Sequence, residues 1–168
     1  MNPSSGLRVG LGFDVHPFAD DASAGDRPLV LGGVTIDGAT GLAGHSDADV
    51  AVHAVADALL GAAGLPDLGT LFPASDDRYA GASSVDLLRE VVTKVRAEGW
   101  AAANVDLVVA AERPKLADHI EAMRACLSEV VGAPVNVKPK HAEGVGAVGR
   151  GEGIAAWAVA LLESSPST

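Results

Sequence analysis

The sequence predicts an α/β (α+β) fold, a single-domain sandwich with a mixed β-sheet covered by helices on one face and a small β-hairpin. Three observations carry this expectation. Arg8 to Phe13 is an alternating apolar run with the period of a strand. Gly32-Gly33 separates Leu29-Val30-Leu31 from Val34-Thr35-Ile36, which is a two-residue hairpin signal. In the second half, strand-like runs alternate with helical periodicities.

Residues 1–7 are expected to be a flexible lead, 8–163 a single domain and 164–168 a tail. Ala19 to Arg27 reads as a loop rich in Asp, Ala and Gly. Ser46 with Asp49 three residues on resembles a capping box, so a helix starts near Asp47 and ends near Gly61. Asp49, His53 and Asp57 share one face of it, which places a carboxylate a turn away on either side of His53 to orient it. Gly64 to Gly81 is irregular, and a loop of that length points to function.

Ser84 caps a second helix, whose stripe of Leu88, Val91, Val92 and Val95 is closed by Gly99. Val105 to Ala111 is a near-continuous apolar run, the mark of a buried strand. Pro114-Lys115 introduces a third helix with Ile120, Met123, Leu127 and Val130. Val135 to Lys138 alternates and predicts another strand. After the glycine-rich stretch Gly144 to Gly153, Ile154, Trp157, Ala158, Leu161 and Leu162 predict a last helix.

At 48% hydrophobic but 4% aromatic, the core is built from Ala, Val and Leu, which favours close helix packing. A single cysteine, Cys126, excludes an internal disulfide framework and fits a reducing compartment. No apolar run approaches a membrane span and no signal peptide is evident, so the expected location is cytoplasmic. A net charge of −10 argues against nucleic-acid binding. An anionic substrate would have to be met by metals or by a few placed basic side chains.

The chemistry centres on Asp14 and His16, two apart at a strand end, and on His53 from the helix that follows. Side chains at i and i+2 point to one side of a strand, so Asp14 and His16 can grip one object together. Two imidazole nitrogens and a carboxylate oxygen suit Zn²⁺ with its fourth position open. The competing reading is a structural Asp–His hydrogen bond with an unrelated surface His53.

Gly12-Phe13-Asp14-Val15-His16, His45-Ser46-Asp47, Asp57 to Gly61, Asp67-Leu68-Gly69, Leu71-Phe72-Pro73 and Gly149 to Gly153 occur in this order. With them the chain closely resembles the 2-C-methyl-D-erythritol 2,4-cyclodiphosphate synthases, from about Arg8 to Leu162. The resemblance implies a homotrimer around a central cavity, with active sites between adjacent subunits. It implies Zn²⁺ on Asp14, His16 and His53, and Mg²⁺ or Mn²⁺ on Glu143. The implied reaction is an internal displacement in which the 2-phosphate of a cytidine-diphospho-methylerythritol attacks its own diphosphate and releases CMP. No enzyme nucleophile is needed, since catalysis reduces to bending the substrate and neutralising its charge.

By position, Asp14, Val15 and His16 fall in the implied substrate site, and His45 and Ser46 match the phosphate-contacting pair, with His45 a transition-state stabiliser. Asp67, Leu68, Gly69, Phe72, Pro73, Ala74, Ser75 and Asp76 match the loop holding the methylerythritol hydroxyls, although Asp67 has the alternative role of turn former. Ala111, Pro114, Lys115, Leu116 and Ala117 match the cytidine segment, with Lys115 on phosphate. Arg150 either lines the central cavity of the trimer or pairs with Glu152.

The chain departs from the family pattern at Pro139, Lys140, His141, Ala142 and Ala147, where an alanine, three threonines and a phenylalanine are usual. Glu143 is retained. His141 takes the place of the second transition-state stabiliser. Lys140 and His141 would put positive charge near the diphosphate in place of hydroxyl hydrogen bonds. Alternatively, only backbone groups matter there. Ala147 would widen the central cavity, which puts isoprenoid binding there in doubt. Two other functions compete: a zinc-dependent phosphohydrolase, and a non-catalytic, zinc-stabilised trimer that binds a ligand.

Overall fold

In the computed structural model, which describes residues 6–19 and 27–165, strand β1 (Leu7–Pro17) runs along one edge of a four-stranded sheet. Most of the expected lead, nearly all of the Asp-rich loop and the end of the tail lie outside the described residues. The other strands of this sheet are β4 (Trp100–Ala110), β5 (Val135–Lys140) and β6 (Gly153–Ser164), in the order β1-β6-β4-β5. β6 pairs antiparallel with both neighbours while β4 and β5 are parallel, so the sheet is mixed. Strands β2 (Pro28–Leu31) and β3 (Val34–Thr40) form the separate hairpin. Its turn, Gly32-Gly33, has φ of 58° and 75°, a left-handed pair that glycine adopts without strain.

Helices α1 (Val50–Ala63), α3 (Ser84–Ala97) and α4 (Ile120–Val131) bury one core against one face of the sheet. α1 lies directly on β1, and small residues make this possible. A Cβ at Gly10 or Gly12 would run into the backbone of Ala58 or Ala54 on α1. The opposite face is left apolar and uncovered: Leu7, Val9, Leu11, Phe13, Val15, Trp157 and Val159 are all exposed.

The largest departure from expectation is the last element. Ile154 to Leu162 is strand β6, not a helix. Ile154, Ala155 and Ala156 are all buried, and from Ala156 on burial has period two, with Ala156, Ala158, Ala160 and Leu162 buried and Trp157 and Val159 outward. Both faces of this central strand are apolar, so residues at helical spacing were available too, and pairing on both edges decides.

Boundaries also move. α1 begins at Val50, not near Asp47, and ends at Ala63 with Gly64 left-handed beyond it. Asp49 is itself its N-cap, so the Ser46–Asp49 capping box does not form. Ser83 rather than Ser84 occupies the cap position of α3. A 3₁₀ turn at Ala117–His119 precedes α4, and the irregular loop contains α2 (Leu68–Leu71) and a 3₁₀ turn at Asp77–Tyr79. A last short helix, α5 (Gly146–Gly149), leads into β6.

Candidate active site

Asp14 and His16 share the side of β1 that carries the buried Gly10 and Gly12, so both turn toward α1, whose first turn supplies His53. Asp14 Oδ2 lies 3.2 Å from His16 Nε2 and 2.8 Å from His53 Nδ1. The three ligand atoms fall within 4.8 Å of one another, and no other such group of three exists among the described residues. Zinc bonds of about 2.0–2.1 Å at tetrahedral angles set neighbouring ligand atoms roughly 3.3 Å apart, so the residues fit the ion.

Both rings are held from behind. Ala43 O accepts from His16 Nδ1 at 2.7 Å, so the neutral ring turns the lone pair of Nε2 toward Asp14. His53 Nε2 lies 2.8 Å from Ser84 Oγ and 3.2 Å from Ser46 Oγ. Burial raises the Asp14 carboxyl, but hydrogen bonds with His16 and His53 outweigh it and hold Asp14 well below the usual carboxylate range. When protonated, His16 donates from Nε2 to Asp14, and that hydrogen bond raises it above the ordinary histidine value.

Neither carboxylate expected to orient His53 reaches its ring. Asp49 is consumed by the backbone N–H groups of Gly32, Gly33, Ala51 and Val52, and Asp57 accepts from Leu68 N at 2.7 Å. Ser84 holds the ring instead.

The tripod opens into a cavity of about 300 Å³. His45 and Ser46 line it, as do Leu68, Gly69, Phe72 and Ala74 from the loop, with Asp57, Tyr79 and Leu87 completing the wall. Asp67, Pro73, Ser75 and Asp76 sit on the same loop outside that wall. The Asp67 carboxylate caps α2 through Thr70, and Asp76 is clamped by Arg78 at 2.6 Å. Val15 points to the opposite face of β1.

A second cavity of about 240 Å³ lies at the ends of β4 and β5. Ala111, Pro114, Lys115, Leu116 and Ala117 face Pro139, Lys140 and His141 across it. Glu112 Oε1 accepts from Ala142 N at 2.7 Å, and its Oε2 lies 3.9 Å from His141 Nδ1. Glu143 follows at φ 53°, a left-handed conformation costly for a non-glycine residue and therefore held by its turn. Ala147 lies in α5, and Arg150 pairs with Glu152 at 2.6 Å.

The two cavities belong to opposite edges of the sheet. β1 and β5 are three strand spacings apart, roughly 14 Å, and Glu143, in the loop after β5, is not among the ligand atoms gathered with the tripod. Ser84, Asp47, Glu112 and Tyr79 were not picked out as site residues from the sequence. Ser84 and Asp47 carry only helix-start signals there, and the contacts of Ser84 with Asp47 and with His53 are a product of long-range packing.

Residues 7–163 match the model of the YgbB family. A 2-C-methyl-D-erythritol 2,4-cyclodiphosphate synthase of Bordetella petrii is 55% identical over 159 residues, covering 93% of this chain and 95% of that protein. The solved bifunctional IspDF of Campylobacter jejuni superposes with a TM-score of 0.89 at 40% identity over 96% of this chain, which spans 43% of that longer protein. A Plasmodium falciparum IspF in complex with CDP gives a TM-score of 0.80 at 31% identity, over 96% of this chain and 98% of that one.

Proposed function

The chain belongs to the YgbB family, and from that premise we propose the reaction it performs and the residues that perform it. It is a phosphorus–oxygen lyase of isoprenoid precursor biosynthesis. It cyclises 4-diphosphocytidyl-2-C-methyl-D-erythritol 2-phosphate to 2-C-methyl-D-erythritol 2,4-cyclodiphosphate and releases CMP. An oxygen of the 2-phosphate forms a bond to the phosphorus nearest the methylerythritol, and the bond from that phosphorus to CMP breaks. The observation that carries this reading is the convergence of Asp14, His16 and His53 at a cavity of about 300 Å³ in a chain of this family.

Zn²⁺ on Asp14, His16 and His53, with Mg²⁺ or Mn²⁺ on Glu143, would supply the positive charge that lets two phosphates approach. The chain's own residues bind and orient. His45 and Ser46 contact the attacking phosphate, and the loop from Asp67 to Asp76 holds the methylerythritol. Lys115, Lys140 and His141 gather positive charge in the second cavity around the cytidyl diphosphate, with His141 stabilising the transition state. Arg150 meets anionic ligand at the centre of the assembly.

A homotrimer unites the two cavities, one from each neighbour, and covers the apolar outer face of β1 and β6. Among the described residues no helix is long and apolar enough to cross a membrane. The proposed location is the cytoplasm.

Phosphorus NMR of the protein with the cytidyl substrate and Mg²⁺ tests the reaction. The expected result is equal growth of CMP and a cyclic diphosphate. Inorganic phosphate would instead indicate a phosphohydrolase, and unchanged substrate a non-catalytic binding trimer.

A further inference from the structure

We propose that Ser84, held by Asp47, is a positioning residue that dictates which ring nitrogen His53 offers to the metal. The inference deepens the metal-site reading above and rests on it.

The argument is an accounting of protons. The Asp47 carboxylate can only accept, and it takes the Ser84 backbone N–H at 3.0 Å, the Asp49 N–H at 3.2 Å and a close contact from Ser84 Oγ. With its one proton given to Asp47, Ser84 Oγ keeps only lone pairs. One of these faces His53 Nε2 at 2.8 Å, so the proton in that contact belongs to the ring. Ser46 Oγ completes the network. It accepts from Ala48 N at 3.2 Å and lies 3.3 Å from Ser84 Oγ, whose remaining lone pair takes its proton.

The consequence falls on the far side of the ring. With Nε2 protonated, the neutral His53 has its lone pair at Nδ1, the atom 2.8 Å from Asp14 Oδ2 and inside the tripod. Ser84 is fully buried, so bulk water does not stand in for its hydroxyl. Nor is the serine spent on capping α3, because Ser83 holds the cap position. His16 and His53 thus reach the same outcome by different means: a main-chain carbonyl sets one ring, and a serine relayed to a carboxylate sets the other.

Two measurements test this. Zn²⁺ affinity, read by competition with a chromophoric chelator, should fall about 10–100-fold in Ser84→Ala and stay unchanged in Ser83→Ala, which alters the same helix start without touching His53. Long-range ¹H–¹⁵N NMR of zinc-loaded wild type should show the His53 proton on Nε2 and Nδ1 as the ligating nitrogen. The NMR readout stands even if Ser84→Ala does not fold. An Nδ1–H tautomer in wild type, or undiminished affinity in a folded Ser84→Ala, overturns the proposal alone. A wild-type protein that binds no Zn²⁺ overturns the metal reading and this inference with it.

Discussion

Asp49 Oδ2 lies 2.7 Å from the backbone nitrogen of Gly33, a contact that ties the hairpin turn to the start of α1. Its Oδ1 accepts from Gly32, Ala51 and Val52 at 2.9, 3.1 and 3.0 Å. One fully buried carboxylate therefore caps a helix and pins a turn, and among the described residues it has no ion-pair partner.

That arrangement makes stability depend on pH. Burial pushes the Asp49 carboxyl up to about 6 from 3.8, against the opposing pull of its N–H donors. Between those values the folded state holds the proton more tightly than the unfolded chain. The stability contributed is therefore full below about pH 4 and is lost as pH rises through about 6, up to about 3 kcal/mol. Asp49→Asn does not titrate, and it forfeits an acceptor at a cost of about 1–3 kcal/mol. The expected result is a wild-type-minus-variant stability difference that shrinks from pH 4 to 6.5 in denaturant titrations; a flat difference refutes the assignment.

Gly12→Ala should be severe. The new Cβ would meet the Ala54 carbonyl and, at 2.6 Å, the Ala58 nitrogen, both backbone atoms unable to swing aside. A loss of about 3 kcal/mol is expected, roughly 6–12 °C in Tm. Zn²⁺ affinity should fall as well, because pushing β1 off α1 separates Asp14 from His53. Gly61→Ala is the control: its nearest neighbour would be Leu11 O at 3.9 Å, and a helix-interior alanine should slightly raise Tm.

Leu11, 68% exposed, stands in the uncovered apolar face of β1. Leu11→Glu is predicted to lower the mass seen by light scattering from three chains to one while leaving far-UV circular dichroism intact. Turnover should fall with it, since each cavity loses its neighbour. A trimer of full activity would place the subunit contact elsewhere.

His141 shares the second cavity with Lys115 and Lys140, and Glu112 lies 3.9 Å from its ring. An imidazole facing a diphosphate supplies a ring N–H donor to its oxygens, which an alanine cannot. In His141→Ala, kcat should therefore fall about 10-fold or more with KM for the cytidyl substrate little changed. An unchanged kcat would leave the backbone as all that matters at this position.

Where function is written in short spacing, the sequence was readable. Asp14 and His16 announce a shared strand side, Gly32-Gly33 announces a tight turn, and the stripe from Leu88 to Val95 announces α3. Ile154 to Leu162 was misread because a strand apolar on both faces carries no period of two. Ser84 and Glu112 were invisible as site residues for a different reason. Their partners, His53 and Ala142, lie 31 and 30 residues away, and only the packed helices and the parallel β4–β5 pair bring them together. The Ser46–Asp49 spacing misled because a better acceptor for the helix start was Asp49 itself.

The placement of the two cavities on opposite sheet edges has a genetic corollary. In a cyclic assembly, a chain crippled at His53 and another crippled at Lys115 are each inactive alone, yet every contact that sets the intact tripod of one against the intact basic cavity of the other rebuilds a working site. Co-expressing the two defective alleles should therefore rescue growth that neither supports by itself, whereas two alleles damaged in the same cavity should not complement.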